Sequence, residues 1–200
     1  MVVRPANAVE RHVAIDRAFH WITAATLTAL LITGLLPVLG VHFEWLEVHW
    51  IAGVLLTLAI LLHIVRAFSV QGLRAMHLRL RDLREFSGAR PGKYSIQQKA
   101  IHLGWSVAVL VAIVTGVLLM VKAGTPVLPR NAYLFTRPTW GLINLFHGLA
   151  AVLSLFLIMV HVYFGLLPEK RMYLRSMVRG WVTGAELAEN HDPERVARGE

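Results

Sequence analysis

Cysteine is absent from all 200 residues. That excludes a disulfide framework, an iron–sulfur cluster held by this chain's own thiolates, a covalently attached c-type haem and a thiolate nucleophile. Charge is scarce as well: 16% of residues are Asp, Glu, Lys or Arg and 56% are hydrophobic, whereas a soluble domain carries about a quarter charged residues. With a mean hydropathy of +0.57, a soluble globular domain is excluded and a membrane protein is expected. What remains in quantity is histidine, ten in all, so any metal or redox chemistry falls to imidazole. The chain also lacks a nucleophile–base pair, a carboxylate pair within an apolar run and a nucleotide-binding glycine fingerprint. It is therefore expected to have no substrate-oxidising centre of its own.

Four stretches contain no Asp, Glu, Lys or Arg: 18–43, 48–65, 100–121 and 138–168. A helix needs roughly 20 apolar residues to cross a bilayer, so four transmembrane helices are expected in an all-α, integral membrane four-helix bundle. The first stretch is too long for a cleavable signal peptide and lacks an A-x-A-like exit. The organisation read from these limits is an amino-terminal segment over 1–17, a four-helix domain over 18–168 and a carboxy-terminal segment over 169–200.

Lys and Arg beside the spans set the orientation. Of the 20 basic residues, 17 lie in the amino-terminal segment, the second loop and the carboxy-terminal segment, leaving Lys122, Arg130 and Arg137 on the other side. Both termini are thus expected in the cytoplasm of a bacterium, across its inner membrane. The pI near 10.6 then reports topology and contact with membrane lipid, with no nucleic-acid partner. Within the second loop (69–98), Leu73, Met76, Leu80, Leu83 and Phe86 recur at helical steps among basic residues, as expected for an interfacial amphipathic helix. Leu174, Met177, Val178 and Trp181 mark a second one, and beyond about Glu186 the chain reads as a loose polar tail. No internal repeat is evident.

Ionisable residues inside a span are costly and point to function. His20, His63, His102 and His161 fall near the cytoplasmic ends of the spans, and His49 and His147 near the outer ends. His49 and His63 are fourteen residues apart, as are His147 and His161. In an α-helix that spacing is about 21 Å of rise and roughly 40° short of four full turns. Each pair therefore shares one helix face at opposite leaflets, so one helix can offer an axial ligand to each of two b-type haems. Such haems need two neutral imidazoles from facing helices and an apolar slot. Gly34, Gly53, Gly116, Gly148, Ala150 and Ala151 are expected to give that slot room. At matching depths His49 faces His147, and His161 faces His20 or His63; the simplest spacing argument pairs His161 with His63. A haem-free transporter or assembly component is the alternative of a different class, weakened because the spans lack the Asp and Glu that relays and cation sites use. His42, His102 and His191 are read as hydrogen-bonded or interfacial.

Further residues carry a family resemblance: Ile15-Asp16-Arg17-Ala18-Phe19-His20-Trp21 and Thr33-Gly34 in the first span, His49, Gly53 and Arg66 in the second, Gly92-Lys93-Tyr94 with Gln98-Lys99 before the third, and His147 with His161-Val162-Tyr163 in the fourth. In this ordered set the chain resembles the gamma subunits (membrane cytochromes b) of respiratory formate dehydrogenases. More loosely, it resembles the cytochrome b subunits of nickel–iron hydrogenases and of thiosulfate or polysulfide reductases. The resemblance implies two haems b, with His49 and His147 as axial ligands of the outer one and His20 and His161, rather than His63, as ligands of the cytoplasmic one. It implies that Arg66 meets a haem propionate and that Ser95, Gln97 and Gln98 border a pocket for menaquinone or ubiquinone, although this family usually has Asn and Gly at the positions of Ser95 and Gln97. It further implies a periplasmic iron–sulfur subunit and a molybdenum- or tungsten-containing catalytic subunit as partners, with electrons passing from the former to quinone near the cytoplasmic side.

Overall fold

The computed structural model describes residues 4–71 and 76–198. Four long helices dominate it: α1 (Ala14–Leu35), α2 (Leu46–Arg66), α3 (Ile96–Ala123) and α4 (Arg137–Leu166). Each is long and apolar enough to cross a bilayer, and the described residues are all-α but for one short strand pair. Inside an apolar helix a hydroxyl has no water to bond. Accordingly Thr26, Thr28, Thr33, Thr57 and Thr115 each donate to the carbonyl four residues earlier. At the end of α3 the chain turns at Gly124, whose φ of +82° favours glycine and where a Cβ would come within 2.9 Å of the Arg130 Cβ.

The chain forms two compact units. One comprises residues 21–62 and 104–159. Its core is thin: Leu27 and Leu31 of α1, Leu56 of α2 and Val109 of α3, bordered by Trp105, Ile113 and Ala151. Most other large apolar side chains of these helices face outward, as expected where lipid rather than water is the solvent. Lys122 lies over the Trp140 ring at 5.4 Å, and the Trp140 indole donates to the Ala132 carbonyl at 2.9 Å. That is the amphipathic anchoring typical of a helix end at a membrane surface.

The other unit gathers residues 1–20, 63–103 and 160–200, so the two terminal segments and the second loop fold together. Strand β1 (Ala8–Glu10) pairs antiparallel with β2 (Trp181–Thr183), Val9 opposite the fully buried Val182. The second loop departs from its expected helix. Leu73 and Arg74 lie outside the described residues, and beyond them the chain forms a 3₁₀ turn over Leu80–Ser87. With three residues per turn, Leu80, Leu83 and Phe86 align in one exposed stripe while Asp82 is fully buried. Asp82 accepts from Lys99 Nζ at 2.8 Å, from Arg195 Nη2 and from the Arg79 backbone N–H.

The segment after α4 also differs from expectation. Helix α5 (Arg171–Arg179) buries Met172 and Ser176 and exposes Leu174 and Val178, and Trp181 belongs to β2. The polar end is not loose. It forms α6 (Gly184–Asn190) and α7 (Pro193–Ala197), joined through His191, which is fully buried. His191 donates from Nδ1 to the Gly92 carbonyl at 2.6 Å and accepts at Nε2 from Arg11 at 3.0 Å. Arg11 in turn donates to the Lys93 carbonyl.

These contacts hold histidines neutral. Burial, reinforced by the charges of Arg11 and Lys93, pushes His12 down to about 4. His191 is likewise pushed down by burial and then by Arg11. A folded-state pKa below the unfolded value of 6.5 means the unfolded chain binds more protons between the two. Stability is therefore full above about pH 6.5 and falls as the pH drops towards 4, by up to about 3 kcal/mol for His12 alone. Thermal unfolding of the detergent-solubilised protein should show Tm dropping across that window, and His12→Gln should flatten the drop.

Candidate functional site

Four histidines of the apolar helices meet as two pairs. In the unit built from residues 21–62 and 104–159, His49 of α2 and His147 of α4 have ring centres 6.2 Å apart and planes at 71°. In the other unit, His20 of α1 and His161 of α4 have ring centres 6.0 Å apart at 52°. Two imidazoles sharing one iron through bonds of about 2 Å bring their ring centres to roughly 6 Å, because each ring centre lies about 1 Å behind its nitrogen. Both pairs match that span. Among the described residues no three His, Cys, Asp or Glu side chains converge on a metal position. A bare transition-metal ion takes more protein ligands than two, but a haem iron, already held by four porphyrin nitrogens, needs only two axial ones. The residues therefore fit haem. His20, His49 and His147 are half-buried, and His161 is exposed.

The His49–His147 pair is held by matching contacts from α1 and α3. Thr33 Oγ1 lies 2.8 Å from His49 Nδ1, and Thr115 Oγ1 lies 2.9 Å from His147 Nδ1. The following glycines lie against the same rings: a Cβ at Gly34 would sit 3.3 Å from His49 Cε1, and one at Gly116 would sit 3.3 Å from His147 Cε1. These glycines thus make room for the imidazoles themselves, where the sequence suggested room for a porphyrin. Trp45 adds an edge contact to His49 at 5.9 Å.

His63 is engaged differently. Its ring stacks face to face on Phe19, centres 4.3 Å apart and planes 10° from parallel. Arg66, expected at a propionate, pairs with the Asp16 carboxylate at the start of α1. Ser95 and Gln98 form a reciprocal cap on α3: the Ser95 N–H donates to Gln98 Oε1 at 2.9 Å and the Gln98 N–H to Ser95 Oγ at 3.3 Å. Gln97 is exposed.

Thr115 was missed from the sequence, yet a signal exists. His20 precedes Thr33-Gly34 by thirteen residues, as His102 precedes Thr115-Gly116, and the fourteen-residue histidine pair of α2 recurs in α4. Between those histidines, Ala52, Val54, Leu55 and Ile60 match Ala150, Val152, Leu153 and Ile158. The two helical hairpins are copies of one pattern. Their connections differ in length, sixteen residues from Thr33 to His49 and thirty-two from Thr115 to His147, which hides the repeat from a fixed-period search.

A membrane four-helix protein with two facing histidine pairs belongs to the membrane cytochromes b in class. The sequence agrees: the profile of the prokaryotic cytochrome b561 family matches residues 11–180, and the chain belongs to that family. It is an integral membrane protein of a family that carries b-type haem. Among curated proteins it is similar to the formate dehydrogenase cytochrome b556(fdo) subunit of Escherichia coli K12, 25% identical over 206 residues that cover 92% of this chain and 90% of the relative. The subunit of the same name from Escherichia coli O157:H7 matches to the same extent.

Proposed function

We propose that this chain is the membrane cytochrome b subunit of a respiratory oxidoreductase complex of the formate dehydrogenase type, linking a periplasmic iron–sulfur subunit and its molybdenum or tungsten catalytic partner to a membrane quinone. The observation that carries the reading is the two histidine pairs, each with the ring separation that one iron requires. His49 with His147 and His20 with His161 hold the two haems b, the His20 ring standing 6.0 Å from that of His161. Bound haem supplies one-electron redox chemistry that no side chain of this cysteine-free chain can provide.

The residues around the pairs do the rest. The apolar helix surfaces keep water from the imidazoles, and the Asp16–Arg66 ion pair fixes the start of α1 four residues before His20. Arg66 gives Nη1 to Asp16 and keeps further N–H donors that a propionate could accept. At the start of α3, Ser95 and Gln98 set the backbone through their cap, and the exposed Gln97 amide offers the hydrogen bond a quinone carbonyl accepts. Both termini lie in the cytoplasm of the inner membrane in this reading. The described basic residues of the terminal segments and second loop all fall within one compact unit, as positive-inside bias requires.

The test is a reduced-minus-oxidised spectrum and haem assay of the purified chain, then co-purification of its complex. Two b-type haems per chain, and quinone reduction driven by formate, are expected. One haem or none sinks the reading, and hydrogen- or thiosulfate-driven quinone reduction reassigns the partner to a hydrogenase or thiosulfate reductase.

A further inference from the structure

Threonine is common in these helices, but two are used differently. Thr26, Thr28 and Thr57 spend their hydroxyl proton on the helix carbonyl four residues back and are followed by Leu, Ala and Leu. Thr33 and Thr115 make the same bond, each at 2.6 Å, to Ala29 and Val111. Both are followed by glycine, and both also touch a histidine Nδ1. A hydroxyl has one proton. Since that proton is committed to the helix carbonyl, the contact to the ring has one polarity only: the histidine Nδ1–H donates and the threonine oxygen accepts. With the proton on Nδ1, Nε2 keeps its lone pair.

We propose that Thr33 and Thr115 are the positioning residues of His49 and His147: each hydroxyl fixes the tautomer that offers Nε2 to a haem iron, and the adjoining glycine sets the plane of the ring. This rests on the reading of His49 and His147 as haem ligands. The device is built twice, at equivalent points of the two repeated hairpins, which argues against an incidental contact. It has an electronic consequence. An acceptor on Nδ1–H makes the imidazole a stronger donor, favouring the oxidised iron and lowering the potential.

The experiment is a redox titration and low-spin ferric EPR spectrum of the full haem-loaded chain bearing Thr33→Val, Thr33→Ser, Thr115→Val or Gly34→Ala. Thr33→Val is expected to raise the midpoint of one haem by up to a tenfold change in its reduced-to-oxidised ratio, about 59 mV for one electron, and to shift that haem's EPR g values while the second haem stays unchanged. Thr115→Val does the same, Thr33→Ser restores the wild-type values, and Gly34→Ala moves the g values by pushing the ring. Unchanged potentials and g values in Thr33→Val with both haems bound overturn the proposal, as does a serine variant as altered as the valine one. Should Thr33→Val lose its haem, Thr33→Ser decides: haem retained at the wild-type potential supports the role of the hydroxyl, and haem lost again overturns it. The underlying ligand reading fails separately, if His49→Leu and His147→Leu both keep two haems.

Discussion

His147→Leu is expected to purify with one b-type haem in place of two, and His49→Leu to lose that same haem. Leucine fills a similar volume in an apolar helix and offers iron no lone pair, so the helix persists while the ligand does not. His20→Leu and His161→Leu should each remove the other haem, leaving a spectrum complementary to that of the first two variants. His63→Leu should keep both. The reason is geometric: the rings of His20 and His161 stand 6.0 Å apart, the span that one iron bridges. A pyridine haemochrome assay with difference spectra reads all five variants. If His63→Leu drops to one haem while His20→Leu retains two, the ligand set at that end is wrong, and His63 takes the place of His20.

The second large effect concerns a charge. Asp82 is fully buried between Lys99, itself 2% exposed, and Arg195. Asp82→Ala leaves the buried Lys99 ammonium with the His77 carbonyl and Arg195 with the more distant Glu85 carboxylate at 3.8 Å. Breaking a buried pair from one side costs about 3–5 kcal/mol, so the variant should unfold at a clearly lower temperature in detergent. It should also make the chain near Arg195 more open to trypsin, since the residues after His191 then lose their fully buried carboxylate contact to the second loop. Adding Lys99→Met to Asp82→Ala should recover part of the loss. A single variant as stable and as protease-resistant as the wild type would show that water or lipid headgroups, rather than Asp82, neutralise this site.

The four helices were legible because the bilayer imposes so coarse a rule: charge vanishes for about twenty residues at a time. The histidine faces were legible because a helix advances 100° per residue, which turns the spacing of fourteen into a shared direction. The partner of His161 was not, since His20 and His63 lie at the same depth and only packing, here the approach of the His20 ring to that of His161, favours one of them. Ser95 and Gln98 illustrate a different gap. Their spacing spells a helix cap, while the family resemblance assigned them to quinone, and both uses draw on the same polar atoms. The end of the chain was misread for a third reason. A segment rich in Glu and Arg looks loose by composition, but His191 and Arg195 find their partners 99 to 180 residues away, beyond the reach of any local pattern.

The distance in sequence between Arg11 and His191 also says something about biosynthesis. A chain emerges amino terminus first, so Arg11 waits through 180 residues of synthesis for the imidazole that completes its hydrogen bonds. The β1–β2 pairing waits almost as long. The helical hairpins carrying His49 and His147 are already in the membrane by then, with every residue of that site made. The unit that contains His20 and His161 closes last, only once the residues up to His191 have been made. Its strand pair and the His191 contact therefore act as a completion mark, so a polypeptide truncated before Trp181 should enter the membrane with the first histidine pair formed and the second unit still open.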